Sequence, residues 1–558
     1  MVAGVHKKTI LGAAIGNCVH VAGVMHFLSL AESEGYNTIF LGPAVPIPKL
    51  ISEITKNKPD VVALSYRLTP ENGKVLIQEI ITGSVSLTYS PEWTFGGTKP
   101  VADIARDTNF FSFVSDGFDD INESIRYLRG SSESKSKDVV CNGIIERIKT
   151  NYPYPVIRHH FGLPSLEDTI QGIKKIADAK VLDVISLGPD QNAQQYYFHP
   201  ENMREEYHGA GGVPIRTKEE FLKLKQASQT GNFPLMRCYS GTADVFQYAE
   251  LLKETIDNAW TAVPLCWYNE LDGRGDRSIE VSIKEAHELI KWHVKHCIPV
   301  EINEPHHWGL RDAHDVISVV MAYISAYTAK RLGVKDYIAQ YMFNNPNGLS
   351  FSMDLARVLA MIEMVESLHD DTFTSYRETR AGLALFSPDL NIAKGQLAAS
   401  TFVQMVVKPH IMHVVAFSEA DHAASADDVI ESCKIVRGVI RHTFNESYSI
   451  EINPDIVRRK EELISEAKNL ISFIETEFNS YEDPLSNPNV LAECVKRGFI
   501  DATHIVKNKK FTGNLATKFV DGKCLAFDRE TESLISEAER ISLLLKKEKR
   551  ESTQHSTI

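Results

Sequence analysis

The 558-residue sequence has no CxxC pair and no cluster of cysteines: Cys18, Cys141, Cys238, Cys266, Cys297, Cys433, Cys494 and Cys524 stand singly. That scatter excludes a disulfide framework, a zinc ribbon or an iron–sulfur cluster, and it reads as the reduced thiols of a cytoplasmic protein. Also missing is any run of the ~18 apolar residues that a membrane-spanning helix needs. The apolar stretch after Lys7 and Lys8 is broken by Asn17 and His20, so we read it as a first strand and not as a secretory leader. There is no excess of positive charge. Sixty Lys+Arg against 73 Asp+Glu give a net charge of −13, which argues against a nucleic-acid or anionic-membrane binder and leaves room for a local basic pocket taking a small anion. No repeat is visible beyond an alternation of short strands and helices. These absences leave a homodimer open. What is present is a globular composition, 43% hydrophobic and 24% charged, long enough for about three domains.

From residue 8 the pattern runs strand (TILGAAIG), loop (NCVHVAG), helix, strand (NTIFLG), helix, strand (DVVALSYR), helix, strand (EWTFGG). Short apolar strands alternating with amphipathic helices predict an α/β unit with a doubly wound parallel sheet, Rossmann-like in the flavodoxin manner, over residues 1–125. The polar segment SSESKSKD at 131–138 reads as part of a linker over 126–151.

Eight further strand candidates, each followed by a helical stretch, fall at 155–162, 182–190, 233–241, 262–273, 298–309, 336–346, 375–386 and 409–422. That count predicts a (β/α)8 TIM barrel over 152–444. The remainder, 445–558, reads as an α-rich C-terminal extension. Polar and charged residues gather at the C-terminal ends of the barrel segments, where such barrels build their sites. They are Arg158-His159-His160, Asp190-Gln191-Asn192, Arg237 with Tyr239, Asn269-Glu270 with Asp272, Glu301-Asn303-Glu304-His306-His307, Asn344-Asn345, and Glu419 with Asp421-His422.

In the first unit three loops lie at the C-terminal edge of the sheet, where open α/β folds bind ligands. They carry Cys18-Val19-His20-Val21-Ala22-Gly23, Ser65-Tyr66-Arg67, and Gly96-Gly97-Thr98. Read by itself, His20 is equally a helix cap or a donor to a backbone carbonyl. In order and spacing, however, the three loops resemble the cobalamin-binding domain of methionine synthases and cobalamin-dependent mutases, whose pattern is Asp-x-His-x-x-Gly, then Ser-x-Leu, then Gly-Gly. The likeness spans nearly all of residues 8–115. It implies that His20 is the lower axial ligand of cobalamin cobalt, and that Gly23, Ser65, Gly96, Gly97 and Thr98 line the slot for the nucleotide tail. The chain departs from the pattern twice: Cys18 stands where the family has Asp, and Arg67 where it has Leu.

At the barrel mouth Arg158 and Arg237 suit capture of carboxylates, and Glu301, Asn303, Glu304 and His306 offer groups for a substrate ammonium or a proton. Any one of them is as readily part of a structural ion-pair network. Arg274 is a further candidate, or else closes a loop with Asp272 or Asp276. His306 and His307, read as neighbours on a strand, point to opposite faces and do not make a metal site. Glu419, Asp421 and His422 read either as a ligand cluster or as helix caps.

From residue 152 onward the chain resembles, more distantly, the catalytic chain of glutamate mutase (methylaspartate mutase), through its early-strand arginines and the segment LAECVKRGFIDATHIVKNKKFTGNLATKFVDGKC. That resemblance implies a radical carbon-skeleton mutase using adenosylcobalamin on a small carboxylate or amino acid, with the cofactor domain fused in front and its corrinoid face over the barrel mouth. A corrinoid methyltransferase using methylcobalamin is the alternative within enzymes, and a non-catalytic corrinoid carrier or sensor the alternative outside them. An aminomutase that also uses pyridoxal phosphate needs a placed lysine, which the sequence does not identify.

Overall fold

The structure, a computed structural model, describes residues 8–117, 123–124, 127–128, 143–239, 243–443, 453–507, 511 and 515–555. The linker segment 131–138 lies outside the described residues. The chain divides into two compact units, Met1–Asp138 and Val139–Ile558.

The first unit is a parallel sheet in the order β2-β1-β3-β4-β5. Its strands are β1 (Thr9–Ala14), β2 (Asn37–Phe40), β3 (Val61–Tyr66), β4 (Glu92–Gly97) and β5 (Phe113–Ser115). β1 and β3 are buried along nearly their whole length, as central strands covered by helices on both faces must be. Those helices are α1 (Ala22–Ser33), α2 (Ile47–Asn57), α3 (Pro70–Ser84) and α4 (Lys99–Asp107), and the last three carry proline in the first turn, where its missing N–H costs nothing. The strand order reverses between β1 and β3, which opens a crevice at their C-terminal ends. The sequence pattern shows four of these strands; β5, three residues long, is too short to carry a periodic signal.

The second unit is built on an eight-stranded parallel sheet in the order β8-β7-β6-β13-β12-β11-β10-β9. Its strands are β6 (Val156–Phe161), β7 (Val184–Leu187), β8 (Leu235–Arg237), β9 (Thr261–Val263), β10 (Val300–Ile302), β11 (Asp336–Phe343), β12 (Thr374–Ala381) and β13 (Ile411–His413). All eight fall inside the segments expected to supply them, or within one residue of their starts. The sheet is a nearly closed barrel: β8 and β9 form no ladder, but the amide of Ala259 donates to the carbonyl of Met236 (2.9 Å) across the gap. Helix α5 (Ile144–Asn151) precedes β6 and places Ile144 and Ile148 against Val156, Val184, Leu235, Trp260, Ile338, Tyr376 and Ile411. These residues seal the N-terminal end of the barrel with an apolar floor.

The outer helices are α6 (Leu166–Ala179), α7 (Gln191–Tyr196), α8 (Lys218–Ala227), α9 (Val245–Ile256), α10 (Ile279–Lys295), α11 (Glu304–Gly309), α12 (Asp315–Arg331), α13 (Phe351–Glu366), α14 (Leu390–Met405) and α15 (Ala426–Thr443). Ser165, Asp190, Thr217, Ser278, Ser350 and Asp389 cap six of them with side-chain hydrogen bonds, which satisfies free amides of their first turns. The C-terminal part adds α16 (Pro454–Glu477), α17 (Pro488–Lys496) and α18 (Glu537–His555). Within the stretch read as an α-rich extension it also forms a small antiparallel sheet of β14 (Ala516–Val520), β15 (Lys523–Asp528) and β16 (Ser533–Leu534). Leu463, Leu470 and Ile474 of α16 share one apolar core with Val319 and Leu355 of the barrel helices.

Two expectations about local structure are corrected. The segment 262–273 is a strand only as far as Val263, because Pro264 has no amide to pair and the amides of Leu265 and Cys266 turn to Glu304 (2.7 and 2.8 Å). The segment 298–309 leaves the sheet at Asn303 and continues as helix α11, with Pro305 in its first turn. His306 and His307 therefore sit on a helix, their rings 4.4 Å apart, and not on opposite faces of a strand.

Candidate functional sites

In the first unit the His20 loop follows β1 into the crevice. Cys18 is buried and its amide donates to the carbonyl of Ile15 (3.1 Å), which turns the loop outward so that His20 is exposed. His20 does not cap α1: the cap position is Val21, without a side-chain bond. Among the described residues its partner is Cys18, whose Sγ lies 3.9 Å from Nδ1, leaving Nε2 open to a ligand. Cys18 thus occupies the place of a group that orients an imidazole through its far nitrogen, as a weak thiol contact instead of a carboxylate.

The rest of the cradle is open where a bulky group would enter and closed where the fold needs it. A Cβ added to Gly23 would meet nothing within 4 Å, and one on Gly96 only the carbonyl of Leu64 at 4.0 Å. At Gly97 it would come within 2.8 Å of the carbonyl of Tyr66, so that position tolerates glycine alone. Ser65, at the end of β3, is buried with its hydroxyl unpartnered. Arg67 is exposed beyond it, and Thr98 is half-buried ahead of α4 with no capping bond of its own. The Tyr66 hydroxyl donates to Asn17 Oδ1 (3.2 Å), tying the end of β3 to the His20 loop.

The second unit concentrates its polar groups inside the barrel. In a tilted parallel barrel the strand registers put inward residues of every second strand at a common level. Here the registers place Arg158 (β6), Arg237 (β8), Glu301 (β10) and Glu378 (β12) together. The result is a charge-balanced ring of two cations and two carboxylates, all but inaccessible to solvent. Below it lie Val184, Trp260, Ile338 and Ile411, and the indole of Trp260 underlies both guanidinium groups, 4.5 Å from Arg237 and 5.6 Å from Arg158.

The ring is unevenly satisfied. Arg158 donates through Nε to Glu378 Oε1 (2.6 Å) and through Nη1 to Ser186 (2.9 Å). Glu301 accepts from Trp260 Nε1 (2.7 Å) and Gln340 Nε2 (2.9 Å). Arg237 approaches Glu301 to 3.3 Å, but none of its three nitrogens has a hydrogen-bond partner. Burial, reinforced by the neighbouring charge of Arg158, lowers the pKa of Arg237, and burial raises that of Glu378. A buried guanidinium with unfilled donors is costly unless a ligand fills them, and the shape of the group selects a planar anion such as a carboxylate.

Above the ring come His160, Tyr239, Asn303 and Arg380. His160 Nε2 receives the Tyr239 hydroxyl at 3.1 Å and faces Arg158 Nη1 at 3.4 Å. An arginine only donates, so Nε2 accepts and the proton of neutral His160 resides on Nδ1. Burial and the surrounding arginines hold His160, His307 and His413 well below the ordinary histidine value and bring His306 down to about 3. At neutral pH these imidazoles are uncharged hydrogen-bonding groups. Asn303 Oδ1 and His306 Nδ1 are buried without partners.

Other polar residues of the segment ends serve the scaffold. Glu304 accepts from the amides of Leu265 and Cys266 and from Trp308 Nε1 (3.0 Å), which anchors the β9 loop. Arg274 pairs with Asp272 (2.7 Å) and stacks on Tyr268 (3.7 Å), closing the loop as one reading of the sequence allowed. Asp190 is held by Arg216 (2.9 Å) and the amides of Ala193 and Gly209. His159 points away from the barrel axis toward Glu419 (3.6 Å), and His422 lies between Asp421 (2.7 Å) and Asp428 (3.3 Å). Among the described residues no group of three His, Cys, Asp or Glu side chains is placed to hold a metal ion, the cysteines are free, and no helix is long and apolar enough to cross a membrane.

Sequence reasoning singled out Arg158, Arg237 and Glu301 but not Glu378, Arg380, Gln340, Trp260 or His413. The signal was available on β12: in Tyr376-Arg377-Glu378-Thr379-Arg380 the residues at spacing two share the inward face.

No family model and no curated protein matches the chain. Among solved structures, a cobalamin-binding protein from Desulfitobacterium hafniense DCB-2 is similar at 20% identity, over 20% of this chain and 53% of that one, with a TM-score of 0.17. The apo, selenomethionine-labelled cobalamin-dependent S-adenosylmethionine radical enzyme OxsB is similar at 11% identity, over 88% of this chain and 66% of that one, with a TM-score of 0.16. This chain spans about half the length of the first and just under two thirds of the second. At these TM-scores neither likeness carries an argument, and the functional reading rests on the residues.

Proposed function

We propose that the first unit binds cobalamin with His20 as the axial ligand of cobalt, and that the barrel holds a small carboxylate or amino acid for an adenosylcobalamin-dependent, glutamate-mutase-like carbon-skeleton rearrangement. The observation that carries the reading is His20 itself, an exposed imidazole at the β1/β3 crevice, backed at Nδ1 by Cys18 and free at Nε2. The residues around it fit the group: an orphaned Ser65 hydroxyl, open space over Gly23 and Gly96, and a Gly97 that admits no side chain.

When bound, the cofactor supplies the carbon-centred radical that such rearrangements need. The chain's own residues bind and shield. Arg237 offers its unfilled donors to a substrate carboxylate. Arg158 is committed to Glu378 and Ser186, so it positions the ring and does not clamp the ligand. Glu301 and Gln340 stand beside Arg237 as acceptor and hydrogen-bonding partner. The Nδ1 proton of His160 is held by the Tyr239 hydroxyl and Arg158 at the opposite nitrogen. The apolar floor of Val184, Trp260, Ile338 and Ile411, closed from beneath by α5, excludes water from that end of the barrel.

The test is electron paramagnetic resonance of protein loaded with adenosylcobalamin and frozen after mixing with small carboxylates and amino acids. A substrate-dependent paramagnetic signal with an isomerised product supports the mutase. Methyl transfer from methylcobalamin without such a signal would replace it with the methyltransferase reading.

A further inference from the structure

Strand β3 sorts its side chains by parity. Val62, Leu64 and Tyr66 join the apolar cluster of α2, α3 and α4, whereas Val61 and Ala63 join Ile10 with Val24 and Leu28 of α1. Ser65 is next in the series facing α1, and Arg67 follows it just past the strand end. On β4 the same alternation puts Trp93 and Phe95 in the first cluster and leaves Gly96, the register partner of Ser65, on the α1 side. Deeper in the sheet α1 lies tight, since a Cβ on Gly12 would come within 2.6 Å of Leu28 Cδ1. Toward the C-terminal edge the gap opens: a Cβ on Gly23 meets nothing within 4 Å, and one on Gly96 meets only the Leu64 carbonyl at 4.0 Å. Ser65 brings a buried, unpartnered hydroxyl to this wedge.

Arg67 stands at the outer end of the wedge. It is exposed and makes no hydrogen bond, ion pair or ring contact among the described residues. Where the resembled pattern carries Leu, this chain thus has a cation with no partner of its own. Cobalamin offers one group to match it: the amides around the macrocycle are uncharged, and the nucleotide tail is joined through a phosphodiester that carries the negative charge. A guanidinium meets a phosphate through parallel N–H···O bonds that a leucine cannot make. We propose that Arg67 recognises the phosphodiester of the tail, with the neutral Ser65 hydroxyl deeper in the wedge, so that the chain selects cobalamin over tail-less corrinoids by charge as well as by shape. This inference rests on the reading that the first unit binds cobalamin.

Equilibrium binding of methylcobalamin, and of methylcobinamide, which lacks the nucleotide and its phosphodiester, to the full-length protein tests it. Arg67→Leu should weaken methylcobalamin binding about fivefold, the upper worth of an exposed ion pair, and change methylcobinamide binding by less than about twofold. Arg67→Lys should recover part of the loss, because it keeps the charge without the planar fork. Raising KCl from about 50 to about 500 mM should weaken methylcobalamin binding by the parent more than by Arg67→Leu. Because Arg67 has no internal partner, both variants should unfold thermally as the parent does. An Arg67→Leu variant that binds methylcobalamin as the parent does, or that loses affinity for both corrinoids alike, overturns the role of Arg67 and leaves the cobalamin reading standing. Failure of the parent protein to bind methylcobalamin overturns the cobalamin reading itself and this inference with it.

Discussion

Arg237 Nη1 lies 3.3 Å from Glu301 Oε2, inside ion-pair range, yet the guanidinium it belongs to has no hydrogen bond at all. Its counterpart in the ring, Arg158, holds Glu378 at 2.6 Å and Ser186 at 2.9 Å. Two arginines at one level of one barrel therefore differ in role: one is built in, and the other is kept open.

That difference predicts unequal responses to the same substitution. Arg158→Gln strands the Glu378 carboxylate in the interior and should lower stability by about 3–5 kcal/mol, the usual cost of breaking a buried pair. Arg237→Gln removes an unfilled cation, and Glu301 keeps its bonds to Trp260 and Gln340. Because Glu301 also loses the cation beside it, stability should fall, but by less than for Arg158→Gln, while carboxylate binding is lost. Thermal unfolding and titration of both variants read this directly; equal destabilisation would remove the distinction.

The barrel strands and their order were legible in the sequence because β/α alternation is a local signal. The contents of the barrel were less so. Arg158 and Arg237 stood out as charges in apolar strands, but Glu378 and Arg380 lie on β12, where Arg377 and Thr379 alternate with them and hide the inward face. Glu304 looked like a candidate acid, and its engagement with three donors of the β9 loop depends on a turn at Pro264 that no periodicity announces. In the first unit, motif spacing located the crevice residues, whereas the free Nε2 of His20 and the orphaned Ser65 hydroxyl are facts of the folded chain.

Acid should destabilise the second unit. Burial lowers His306 to about 3 and His287 and His293 to about 4. Since the folded values are depressed, the unfolded chain binds more protons below about pH 6.5. Stability is then full above that pH and falls as pH drops toward the folded values, by about 1.4 kcal/mol per unit for each such histidine. His287 also has an unpartnered buried Nε2. Denaturant unfolding of His287→Leu between pH 7 and 4.5 should show a shallower loss than the parent; an unchanged slope would contradict the assignment.

The two glycines after β4 should respond differently to a methyl group. Gly97→Ala forces a contact of 2.8 Å with the carbonyl of Tyr66 and should cost about 1–3 kcal/mol in the first unit. Gly96→Ala meets nothing closer than 4.0 Å and should fold normally while weakening cobalamin binding. Circular dichroism melts together with cobalamin titration separate the outcomes.

Glu304→Ala leaves the amides of Leu265 and Cys266 and the indole of Trp308 without an acceptor. Stability should fall by at least about 3 kcal/mol, given ~1–3 kcal/mol for each buried orphan. Glu304→Gln should recover much of it, because one amide oxygen still accepts. Comparable losses in the two variants would show that the charge, and not the accepting geometry, is what the loop requires.

The most direct test is the visible absorption spectrum of cobalamin bound to the parent protein and to His20→Ala. With His20 as the axial ligand, the parent gives the spectrum of nitrogen-ligated cobalt and His20→Ala a base-off spectrum with binding retained in part. Identical spectra from the two proteins, or no cobalamin bound by the parent, would contradict it.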